Sequence, residues 1–149
     1  MKLLHVTAIF WTSTAIGFLL PAAFEVRYAH EPLAVGIEQW AESLFDQFGM
    51  NMWVASPFVI TAILALFHLM PRSGESSLVV RSRGSGVLGA ILAGAALYTW
   101  ILAGVWTSKS STAAITIVFL PILAMIVMPA AYGGGRMLAY SRRNTSSGL

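Results

Sequence analysis

Cysteine is absent from the 149 residues, which removes disulfides, thiolate metal sites, iron–sulfur clusters and cysteine nucleophiles from consideration. Charge is scarce: Asp, Glu, Lys and Arg together make up 10% of the chain. A water-soluble globule of this length needs more polar surface than that. No Asp, Glu, Lys or Arg falls within residues 3–24, 52–70, 86–106 or 112–132. Buried ionisable groups are the usual machinery of proton relays and ion coupling, so their lack argues against a self-sufficient ion-coupled transporter. Also missing are a phosphate loop, a nucleophile elbow, a His-Glu-x-x-His pair and an EF-hand pattern. Gly133-Gly134-Gly135-Arg136 lacks the spacing of a phosphate-binding loop and reads instead as a helix stop with a basic anchor.

What the chain does have is apolar length. Hydrophobic residues make up 57% of it and its mean hydropathy is +0.75, and each of the four runs supplies the roughly 20 apolar residues that a membrane helix needs. The expected fold is all-α, a four-transmembrane-helix bundle forming one membrane domain. The first run, with Lys2 before it and Pro21-Ala22-Ala23 at its end, has the outline of a secretory signal, but it exceeds the usual h-region of about 7–15 residues and is read as a retained helix. Pro57 falls in the first turn of the second run, where a missing N–H is tolerated, and Pro71 closes it. A polar loop is expected over residues 72–85. Gly86, Ala90 and Gly94 recur every four residues and leave a stripe of the third run without bulk, suited to a close helix contact with another membrane subunit or a second copy. Pro121 should kink the fourth run, the Gly133 triplet should end it, and 136–149 should form a polar tail.

Between the first two runs lies the one acid-rich stretch. Ile37, Trp40, Ala41, Leu44, Phe45 and Phe48 share one face of a helix, while Glu38, Glu42 and Asp46 step by four along the other. Pro32 suits its start and Gly49 its stop. An amphipathic helix over about residues 32–48, lying on the extracytoplasmic membrane surface, is expected. Loop charges set the sidedness: Lys2, Arg72, Arg81, Arg83, Arg136, Arg142 and Arg143, seven of the nine bases, fall on one side of a four-span arrangement. The positive-inside rule then puts both termini in the cytoplasm, with the plasma (inner) membrane as the expected location.

Four groups of residues could carry chemistry. His5 and His68 lie at similar depth near the ends of the first two spans, and a facing imidazole pair could ligate a haem iron; the plainer reading makes each an interfacial histidine. Met50 and Met52 offer thioethers beside His30, a soft set suited to Cu(I), though two methionines at the head of a helix also serve as anchors. Glu38, Glu42 and Asp46 form either a solvated face or a docking face for a basic partner. Thr7, Thr12, Ser13 and Thr14 could line a polar pathway, but such hydroxyls more commonly bond to carbonyls within the helix or across a helix contact.

Lys2-Leu3-Leu4-His5, Trp11, Leu20-Pro21, Tyr28 and His30-Glu31 resemble the first helix of small four-helix membrane families, the HemJ-type protoporphyrinogen oxidases and the CopD-like copper proteins. The resemblance is confined to the first helix and the residues that follow it, and it implies haem or copper handling. The sequence departs from the HemJ pattern where Ala22 rather than Arg follows Pro21, and where Leu120-Pro121-Ile122 replaces a Glu-Val-Pro motif. The function expected is that of an accessory or partner-binding subunit of a larger membrane complex. A haem-binding or redox protein using His5 and His68 is the alternative, and a small oligomeric channel or exporter a further one.

Overall fold

The computed structural model describes residues 3–28, 32–70, 74–108 and 113–146. These form five helices and, among the described residues, no strand: α1 (Leu3–Tyr28), α2 (Leu33–Asp46), α3 (Phe48–Leu69), α4 (Ser77–Thr107) and α5 (Ala113–Ser146). All but α2 are long and apolar enough to cross a membrane. Their outer faces match that solvent: Trp11, Leu92, Trp100 and Ile126 are each 66–75% exposed, a surface that would drive aggregation in water and is at home in lipid.

The bundle is built from two antiparallel pairs. In the first, α1 lies on α3, with Val6 beside Ala65 and Leu69, the Ser13 hydroxyl donating to the Phe58 carbonyl, and Gly17 against Ala55 and Phe58. A Cβ at Gly17 would come within 3.0 Å of the Phe58 Cβ and 3.2 Å of the Ala55 oxygen, so a side chain there would push the helices apart. The second pair is α4 with α5. Helices α3 and α4 each touch the other three long helices, whereas the α1 backbone makes no close approach to α5. The core runs through the middle as Val54, Phe58, Tyr98, Leu102, Leu120, Ala124 and Met128. Within it the Tyr98 ring stands edge-on to Phe58 at 5.0 Å and its hydroxyl donates to the Val54 carbonyl.

Side-chain donors reach backbone carbonyls beside two of the helix prolines. Pro57 cannot donate to the Trp53 carbonyl one turn back, and the Ser56 hydroxyl takes that carbonyl at 2.7 Å. Pro121 and Pro129 both sit inside α5. Beside the carbonyl that Pro121 leaves without its helical donor, the Val118 carbonyl accepts the Trp53 indole N–H at 2.9 Å, tying α3 to α5.

Helix ends depart most from the sequence expectation. The polar stretch expected as a loop over 72–85 is largely helix, since α4 starts at Ser77 and carries Arg81 and Arg83. The Gly133 triplet does not end the last span either; α5 runs through it to Ser146, so the expected polar tail at 136–149 is helical over its described part. The physical reason is tertiary packing. A Cβ on Gly135 would fall 2.6 Å from the Ser85 carbonyl oxygen, so glycine is what lets the two backbones meet, and that contact overrides its poor helix propensity. At 31 and 34 residues, α4 and α5 extend to about 46 and 51 Å, well beyond the roughly 30 Å of a hydrocarbon core. Leu69, the last residue of α3, packs at the level of Val87 and Ile91, so the start of α4 and the end of α5 project past it as a paired stalk.

The amphipathic helix exists as α2, but it breaks at Gln47 rather than at Gly49, which belongs to α3. Asn51 pins the corner, its side-chain amide donating to the Ser43 carbonyl at 3.0 Å. At about 100° per residue, α2 divides into three sectors rather than two. Gly36, Trp40, Ser43 and Leu44 turn toward the bundle, Ile37, Ala41 and Phe45 are exposed, and Glu38, Glu42 and Asp46 form an exposed acidic row.

Candidate functional site

Among the described residues, one cavity lies toward each end of the long helices. One, of about 300 Å³, is a groove between α3, α4 and α5 that begins at Pro57 and Ile60 and reaches His68 and Tyr132. Its walls are almost entirely apolar. Thr61 is one exception, and its hydroxyl already donates to the Pro57 carbonyl at 2.7 Å. The other exceptions stand at the end of the groove, where the His68 ring meets Tyr132 edge-on with centroids 6.2 Å apart. The Tyr132 hydroxyl is buried without a hydrogen-bond partner, a state that costs about 1–3 kcal/mol unless something supplies one.

Beyond Tyr132 the same end becomes basic. The Arg136 guanidinium lies 5.8 Å from the centre of the Tyr132 ring, and Arg136 and Ser82 both neighbour the Tyr140 hydroxyl. Arg83 forms a two-pronged ion pair with Glu75 at 2.7 and 3.0 Å and reaches the His68 carbonyl at 3.4 Å.

The second cavity, of about 310 Å³, opens at the α2 end and is lined from all five helices, among them Phe18, Glu25, Trp40, Asn51, Trp106 and Val118. Trp40 and Leu44 roof it, which is the use α2 makes of its bundle-facing sector. Tyr28 and Trp106 stack nearby with centroids 6.2 Å apart.

The candidate residues distribute unevenly over this geometry. His5 is exposed on α1, and its neighbour Val6, beside Leu69, confirms that it sits at the level of His68. The His68 ring, however, is turned to Tyr132 of α5, a helix whose backbone α1 does not closely approach. Equal depth is therefore not matched by a shared site. Met50 lines the α2-end cavity and Met52 does not, because both lie in helical α3, where positions two apart point about 200° from each other. His30 lies outside the described residues. Among those described, no three His, Cys, Asp or Glu side chains gather as a metal site. Glu38, Glu42 and Asp46 are exposed on α2. Gly86, Ala90 and Gly94 are buried, Gly86 facing Tyr132 and Arg136, and Gly94 facing Met128, so the stripe serves the contact between α4 and α5 within this chain.

Residues that the sequence left unremarked as site residues are Arg136, read there as a basic anchor, and Tyr132, four residues before it on α5. Their i, i+4 spacing was the available signal. The architecture is an all-helical bundle in which, among the described residues, four helices are long and apolar enough to cross a membrane. Compared with protein-family models, with curated proteins and with solved structures, the chain matches none.

Proposed function

We propose that this chain is a non-catalytic subunit that docks to another membrane polypeptide through the acidic row of α2. The observation that carries the reading is the division of α2 into sectors. Its Gly36, Trp40 and Leu44 side is committed to the bundle, while Glu38, Glu42 and Asp46 point outward. No described residue forms an ion pair with any of the three; the ion pair found among described residues is Arg83 with Glu75. Three carboxylates at one-turn spacing, held on a helix fixed at its corner by Asn51, form a preorganised face for a basic surface. Their exposure makes them worth more for steering and register than for raw affinity.

In this proposal α2 lies at the extracytoplasmic interface, with Ile37 and Phe45 in the lipid and Phe45 85% exposed in the isolated chain. The stalk of α4 and α5 is cytoplasmic, following the excess of Arg at that end. Solubilisation in mild detergent followed by identification of co-purifying chains tests the reading. One stoichiometric partner is expected, and it should be lost when Glu38→Lys, Glu42→Lys and Asp46→Lys are combined. Unchanged co-purification of the triple variant would overturn the assignment of α2.

A further inference from the structure

The groove between α3, α4 and α5 has the dimensions and end-chemistry of a lipid site. We propose that it holds one acyl chain of an anionic phospholipid, whose ester carbonyl accepts from Tyr132 and whose phosphate lies at Arg136. The inference rests on the membrane reading of the four long helices and not on docking through α2.

Length is the first argument. From Pro57 to His68 the groove follows twelve residues of α3, eleven rises or about 16 Å at 1.5 Å each, which is half of a hydrocarbon core and the reach of one leaflet's acyl chain. The walls along that length are apolar, and Ile60 and Leu64 stand at the exposed side, so a chain can enter laterally from the bilayer.

The polar groups occur where such a lipid carries its own. The buried Tyr132 hydroxyl lacks a partner and lines the end of the groove; an ester carbonyl at the root of the acyl chain supplies the acceptor. One turn further along α5 comes Arg136, lying over the Tyr132 ring, with no ion pair to a described carboxylate. Glu75, the acid nearest this end, is held by both prongs of Arg83. The local balance therefore favours a phosphate, and a basic residue near an anionic leaflet contributes about fivefold in binding.

Native mass spectrometry of the full chain in detergent, titrated with dioleoyl-phosphatidylglycerol and with the corresponding phosphatidylcholine, tests the site. A single saturable adduct is expected, at least about fivefold tighter for phosphatidylglycerol. Arg136→Gln should erase that preference and weaken phosphatidylcholine, which carries the same phosphate, to a smaller extent than phosphatidylglycerol. Tyr132→Phe, which removes one oxygen and keeps the ring, should weaken both lipids, and Leu64→Trp should block the mouth to both. Equal affinity for the two lipids, or preference retained in Arg136→Gln, would overturn the proposal. So would displacement of the lipid by glycerol 3-phosphate, which lacks the acyl chain, or by decylubiquinone, which lacks the phosphate. A chain that fails to enter nanodiscs at all would instead refute the membrane reading beneath it.

Discussion

Ser13 of α1 donates its hydroxyl to the Phe58 carbonyl of α3 at 2.9 Å, fully buried, one turn before Gly17, where the same two helices lie too close to admit a side chain without a shift. The hydroxyl cluster of the first span is thus a packing device at this position. Interhelical hydrogen bonds inside membrane proteins average about 0.6 kcal/mol, because the unfolded chain in lipid also finds partners, whereas overpacking costs about 1–3 kcal/mol. Ser13→Ala should therefore lower the thermal midpoint in detergent only slightly, and Gly17→Val should lower it several times more. The reverse order would mean that the hydrogen bond, not the close approach, holds α1 in place.

The glycine triplet offers an internal control. A Cβ at Gly134 meets nothing within 4 Å, while one at Gly135 meets the Ser85 oxygen at 2.6 Å. Gly134→Ala should be neutral or stabilise α5 by up to about 1 kcal/mol through helix propensity. Gly135→Ala should destabilise the paired end of α4 and α5, read as faster hydrogen exchange between Ser77 and Ser85. Equal behaviour of the two variants would contradict the packing assigned here.

Four spans were legible because lipid imposes a length and a composition on every helix that crosses it. Their ends were not. Hydropathy marks where charge begins, not where hydrogen-bonded helix stops, so Arg81 and Arg83 looked like a loop although they continue α4. Gly133 to Gly135 looked like a stop because propensity is local, while the role of Gly135 depends on Ser85, fifty residues away. The period of α2 was visible, but not which sector faces the bundle. The groove was hidden for the same reason: His68, Val87 and Tyr132 line it from three helices, and no local spacing relates them.

The haem reading required His5 and His68 to converge, and the His68 ring is turned to Tyr132. Protein purified from haem-replete cells should show no Soret band that depends on both histidines. A band weakened by His5→Ala and by His68→Ala alike would contradict this placement.

Sidedness can be read without background because the chain has no cysteine. Gln39→Cys on exposed α2 and Ser141→Cys near the end of the stalk should label from opposite sides of intact cells, the first with an impermeant maleimide and the second only after permeabilisation. Labelling of both from outside would refute the orientation inferred from loop charge.

The most direct test of docking through α2 uses the same Gln39→Cys variant carrying a thiol-linked photo-crosslinker. Position 39 is exposed beside the acidic row and leaves all three carboxylates intact. Illumination in native membranes should yield one discrete adduct with a second polypeptide, lost on combining Glu38→Lys, Glu42→Lys and Asp46→Lys. Adducts with lipid alone, or a protein adduct indifferent to the three charge reversals, would contradict the account.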